Sequence, residues 1–168
     1  MASMTEPREL FLHELQDIYY AEKQIEKKLP KMIDEASDRE LSNGLEKHLD
    51  ETRRQIANLE QVFTSIGEKA KGERCPGIEG IAREHDTFMR EEKPSPEICD
   101  MFLTGAAARV EHYEIAAYEG LITMADGLGQ KDAVKLLTQN LDQEKHALQT
   151  VEGVGKRMAK EVLTGARM

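Results

Sequence analysis

In the stretch from 134 to 158 apolar residues recur at alternating steps of three and four, Val134, Leu137, Leu141, Leu148, Val151 and Met158, and the slot midway along is filled by Glu144. That spacing keeps one face of a helix apolar, so the glutamate points where a packed helix buries aliphatic carbon. Three further stretches repeat the pattern. One reads Leu15, Ile18, Glu22, Ile25, Leu29, Met32, and another reads Ala107, Glu111, Glu114, Tyr118, Leu121, Ala125. The third reads Leu41, Leu45, His48, Thr52, Ile56, Leu59, Phe63, Ile66, with Glu51 and Gln55 on the adjoining edge. Four amphipathic helices with polar groups at mid-length call for an all-α bundle whose centre holds acid.

Burying several ionised carboxylates together is prohibitive unless they are protonated, paired with cations, solvated or bound to metal. Whether they can share a metal depends on level. Glu22 lies about 14 residues before the end of its helix and Glu51 about 12 after the start of the next, which at ~1.5 Å per residue agrees within about a turn. Glu111 and Glu144 are disposed in the same way about the later turn. The acids are therefore expected to meet at mid-bundle.

Breakers and caps set the helix order. The first helix is expected from Arg8 to Ala36, and Ser37 with Glu40 has capping-box spacing for the second, which runs to about Ile66 before Gly67. Cys75-Pro76 starts a short third helix ending near Glu92, and Ser95-Pro96 starts the fourth. The fourth ends near Ala125, the turn Asp126-Gly127-Leu128-Gly129 reverses the chain, and the fifth spans about Lys131 to Lys160. Short turns make two antiparallel hairpins with a short extra helix between them. Residues 1–168 form one domain, with 1–6 expected to be disordered and 161–168 frayed.

Charge and composition exclude several classes. With 32 acidic against 23 basic residues the net charge is -9, which repels phosphate backbones and anionic membranes, so no nucleic-acid partner is expected. No apolar run approaches the ~20 residues of a membrane span, and the polar start lacks a secretory pattern. A cytoplasmic protein is expected, with Cys75 and Cys99 as free thiols and neither as part of a Cys metal site.

The segments Asp17-Ile-Tyr-Tyr-Ala-Glu22-Lys-Gln24, His48-Leu-Asp-Glu51-Thr-Arg-Arg-Gln55, Val110-Glu111-His112-Tyr113-Glu114-Ile-Ala-Ala-Tyr118 and Leu141-Asp-Gln-Glu144-Lys resemble the YciE/YciF stress proteins of bacteria, related to rubrerythrin in the ferritin-like superfamily. The resemblance covers nearly the whole chain and implies a ferritin-like four-helix bundle, a homodimer and a stress-response role. The chain departs from the usual two-metal pattern, because Glu-x-x-His is absent: three residues after Glu51 stands Arg54, and three after Glu144 stands Ala147.

Two readings follow. In one, Glu22, Glu51, Glu111, Glu114 and Glu144, with His48 and His146, bind two Fe or Mn ions that oxidise Fe(II) or reduce peroxide, with an external electron donor. Hard oxygen ligands equally suit Mg or Ca. In the other, the carboxylates form a structural hydrogen-bond network in a non-catalytic dimer. Glu51 then pairs with Arg54, His48 braces Glu51, the tyrosines pack, and His13, His85, His112 and His146 lie at the surface or its boundary.

Overall fold

The structure, a computed structural model, describes residues 3–165. Five helices occur among them: α1 (Pro7–Glu35), α2 (Arg39–Ser65), α3 (Pro76–Glu92), α4 (Pro96–Gly127) and α5 (Lys131–Leu163). Each of α1, α2, α4 and α5 packs on two of the others in the cyclic order α1, α2, α5, α4, while α3 lies against α1 and α4. The two-hairpin bundle with a short extra helix is therefore as the spacing predicts.

Local chemistry explains the boundaries. Thr5 and Glu6, inside the segment expected to lack structure, donate their backbone N–H groups to Glu9 Oε2 at 3.0 and 3.1 Å, which anchors the start of α1. At the other end α5 continues to Leu163, beyond the expected stop at Lys160. The expectations for residues 1–2 and 166–168 lie outside the described residues.

Asp38, and not Ser37, caps α2: its carboxylate accepts from the backbone N–H groups of Glu40 and Leu41, each at 3.0 Å. Ser37 instead donates its backbone N–H and its hydroxyl to buried Asp100 at the start of α4, at 2.8 and 2.6 Å. This ties the first hairpin's turn to the beginning of the second hairpin. Arg157, late in α5, donates to Asp38 at 2.8 Å at the same end of the bundle. Helices α1 and α5 thus finish where α2 and α4 begin, and neighbouring helices run antiparallel.

At the opposite end Gly67 and Gly129 adopt φ of +76° and +70°, a left-handed turn that a Cβ would disfavour. Each closes a helix with paired bonds: Glu68 N–H to Phe63 O and Gln130 N–H to Ala125 O, both 2.9 Å. The core between these ends is apolar, with Phe11, Leu15, Ile18, Leu59, Phe63, Leu103, Leu121 and Leu137 all at or below 1% exposure. Into the middle of that core the chain inserts its acids.

Candidate metal centre

Periodicity alone carries Glu22, Glu111, Glu114 and Glu144 to the inner faces of α1, α4 and α5, and packing buries all four, with at most 3% of any one exposed. His48 and Glu51 enter from α2 at 6% and 8% exposure. Glu114 is fully buried on α4, which packs against α1, α3 and α5. One ligand atom from each of His48, Glu111, Glu114 and Glu144 lies within 4.8 Å of every other. The level argument therefore holds for Glu111 and Glu144.

Individual contacts divide the acids by role. His48 Nε2 sits 3.4 Å from Glu111 Oε1, so this ring faces α4 rather than bracing Glu51 on its own helix. Glu51 pairs with Lys47 at 3.4 Å, one turn earlier, rather than with Arg54. Tyr118, expected mostly to pack, donates its hydroxyl proton to Glu22 Oε1, and Gln55 Nε2 donates to Glu144 Oε1. Asn140, which the sequence reading does not single out, donates to Tyr118 Oη at 3.1 Å and to Gln55 O at 3.2 Å, and accepts from Asn58 Nδ2 at 2.8 Å. These amide and phenol donors hold one oxygen of Glu22 and one of Glu144.

The remaining atoms converge without hydrogen bonds. Among the described residues Glu22 Oε2, Glu111 Oε2, both oxygens of Glu114, Glu144 Oε2 and both ring nitrogens of His48 are buried and make none. Such groups are costly to bury, so a cluster of them needs protons or a cation. Desolvation first, and then the charge on Glu144, pushes the carboxyls of Glu22 and Glu114 well above the usual carboxylate range. Desolvation and the neighbouring Glu144 do the same to Glu111. Burial and the adjoining Glu22, Glu114 and Glu144 also raise the Tyr118 phenol, which keeps it a donor.

The donor set fits a divalent transition metal. Carboxylate oxygens suit hard cations, an imidazole nitrogen shifts the preference toward metals such as iron, and no thiolate competes, since Cys75 and Cys99 are buried elsewhere as free thiols. In such a centre Glu111, Glu114, Glu144 and His48 would hold the ion, with Glu22 and Glu51 beside them.

His146 is exposed and stays outside this group. Its ring lines a cavity of about 40 Å³ between α2, α4 and α5 that also touches His48, Glu51 and Glu111. His85, expected at the surface, is buried at 3% exposure: Nε2 lies 2.9 Å from Glu35 Oε2 and Nδ1 3.5 Å from Asp86. The reversal comes from α3, which covers that edge of α1, and burial together with the Lys28 charge lowers the His85 pKa. His13 and His112 are exposed as expected. A second cavity, of about 50 Å³, lies beneath α3 and reaches His48 and Glu111 from the other side.

Comparison with known proteins agrees with this fold. Residues 6–164 match the family described as a domain of unknown function, DUF892. Protein YciF of Escherichia coli is 40% identical over 138 residues, 82% of either chain. Its crystal structure, described as that of a stress protein, superposes with a TM-score of 0.89 at 35% identity, covering 94% of this chain and 99% of that one. YcfI of Rhodopseudomonas palustris, provisionally termed a structural protein, gives 0.87 at 45% identity over 89% and 95% of the two chains. A Xanthomonas campestris protein at 20% identity gives 0.76 over 97% and 100%, a likeness of fold alone. The bundle is of the ferritin-like type.

Proposed function

The chain belongs to the DUF892 family, and from that premise we propose that it is a stress-response protein whose central carboxylates and His48 bind a carboxylate-bridged pair of Fe or Mn ions. One observation carries the reading: carboxylate and imidazole atoms that make no hydrogen bonds converge at a single level of an otherwise apolar core. Fe(II) ions held by Glu111, Glu114, Glu144 and His48 would supply two electrons, enough with two protons to take dioxygen to hydrogen peroxide or peroxide to two waters.

The chain's own residues prepare that chemistry. Tyr118 and Gln55 fix the rotamers of Glu22 and Glu144 through one oxygen each and leave the other facing the centre. Asn140 in turn holds the Tyr118 hydroxyl and ties α5 to the backbone carbonyl of Gln55. Raised carboxyl pKa values mean that protons leave as a cation enters, which makes binding depend on pH. An electron donor outside the chain belongs to this reading, as do a homodimer and a cytoplasmic location. No helix among the described residues is long and apolar enough to cross a membrane.

A second reading has its own support. The chain Asn58, Asn140, Tyr118, Glu22, with Gln55 to Glu144, is a buried polar network that could specify the packing of four helices with protons in place of metal.

Metal analysis of protein purified without chelator, followed by anaerobic titration with Mn(II) and Fe(II), separates the two. The metal reading expects about two ions per chain. Replacing Glu111 and Glu144 together by Ala is expected to abolish uptake and His48→Ala to weaken it, by about 10–100-fold if the ring only braces Glu111. His146→Ala is expected to leave it unchanged. Equal, negligible uptake by the native and double-variant proteins would leave the structural reading in possession.

A further inference from the structure

The cavity beneath α3 opens between α1, α3 and α4 at half-buried Gln24, Lys28, Ile81 and Ala82, and ends at His48 and Glu111. Between these limits the wall is hydrocarbon, supplied by Ile25, Leu29, Met32, Ile78, Ala106 and Val110. Its volume of about 50 Å³ exceeds what one water occupies. Polar groups are confined to its mouth, its inner end and one side, at Gln24, Lys28, His48, Glu111 and His85, so a water crossing the hydrocarbon stretch between them leaves its polar partners behind, and that stretch favours a small apolar guest over solvent. The opposite cavity is mixed: Leu41, Leu45, Val151 and Val154 line part of it, but Glu40, Lys47, Glu51 and His146 add charged and polar groups on the way to His48 and Glu111.

From these two approaches we infer that the cavity beneath α3 is a binding and entry site for dioxygen, delivered along hydrocarbon to the His48–Glu111 edge of the centre. This inference rests on the metal reading above and names the oxidant that this centre takes. Hydrogen peroxide, which gives up several strong hydrogen bonds on leaving water, is disfavoured by the same wall and suits the mixed cavity. His85 lines the side of the apolar cavity, with Nε2 2.9 Å from Glu35 and Nδ1 3.5 Å from Asp86.

The test fills the entrance with Ala82→Phe, at a half-buried position of α3 away from the proposed ligands. Xenon, a spherical apolar probe, is applied under pressure to metal-free protein and followed by ¹²⁹Xe NMR, with circular dichroism to check folding. Native protein is expected to bind xenon, and the variant to lose that binding. Both proteins are expected to bind Fe(II) equally under anaerobic conditions. Oxidation of bound Fe(II) by dioxygen should then slow by about tenfold or more in the variant, while oxidation by peroxide changes within about threefold.

Absence of xenon binding in the native protein overturns the inference, as does a variant that excludes xenon yet reacts with dioxygen at the native rate. Equal slowing with both oxidants overturns the assignment to dioxygen. Failure of either protein to bind Fe(II) removes the metal reading itself and the cavity's role with it. Should Ala82→Phe not fold, Ala82→Leu serves with the same outcomes.

Discussion

Held free of metal, this protein should lose stability as pH rises above the ordinary carboxylate range, the reverse of what an ordinary acidic protein does on leaving acid. The perturbation is chelation, and the groups concerned are Glu22, Glu111 and Glu114, whose carboxyls are all raised well above the ordinary value of 4.5. Below 4.5 each is protonated in both the folded and the unfolded chain, so its protonated form lends its full contribution to the fold. Above 4.5 the unfolded chain releases the proton and the folded chain keeps it, so stability is lost until pH passes the folded value. Each retained proton costs about 1.4 kcal/mol per pH unit.

Each of the three carboxyls therefore lowers stability over the part of the interval from pH 5 to 7 that lies below its folded value. Their losses have the same sign, so together they are expected to reach a few kcal/mol, a large share of the stability of a domain. The assay is urea denaturation in excess EDTA across that interval, beside the triple variant Glu22→Gln, Glu111→Gln, Glu114→Gln. Glutamine carries the protonated carboxyl's neutrality, so the variant's profile should be flatter by the same amount. His85, whose pKa is lowered, contributes an opposite slope below its unfolded value, and it does so equally in both proteins. Adding Mn(II) should restore stability at pH 7 to the native chain alone, because a cation replaces the protons. A chelated native protein as stable at pH 7 as at pH 5, with a profile parallel to the variant's, would refute the claim that these carboxyls are buried together without compensation.

Two other outcomes follow from the contacts. Tyr118→Phe removes the donor to Glu22 Oε1 and an acceptor of Asn140, and should cost about 1–3 kcal/mol in urea denaturation, since both partners stay buried. Asp100→Ala leaves the backbone N–H of Ser37 without its acceptor at the first hairpin's turn and should cost about 1–3 kcal/mol. Ser37→Ala, which keeps the backbone bond, should cost about 1 kcal/mol or less, and thermal denaturation orders the two.

Much of the centre is legible in one dimension because a helix repeats every 3.6 residues. Glu22, Glu111 and Glu144 interrupt apolar stripes, and counting residues from the turns brings them to one level. Tyr118 shares the stripe too, but a tyrosine in a core slot reads as packing, and only the position of Glu22 across the bundle makes it a hydrogen-bond donor. Asn140 lies between stripe positions and gives no periodic signal, yet it is fully buried against Tyr118 and Gln55. His48 occupies a stripe position of its helix, whereas His146 lies off the stripe and reaches the centre only if that face of α5 turns inward. The rotation of α2 turns one toward Glu111, while that of α5 leaves the other exposed.

What the sequence determined by itself is what local rules govern: five helices, their order, the reversals at Gly67 and Gly129, and the face on which each acid lies. These depend on backbone geometry and on which side chains avoid water, both of which act within a few turns. Tertiary packing decided the rest, because helix rotation and the placement of α3 are settled by contacts between residues far apart in the chain. Those contacts buried His85 against Glu35, transferred Ser37 from a cap to Asp100, aimed His48 at Glu111, and left a hydrocarbon-lined space leading to the acids.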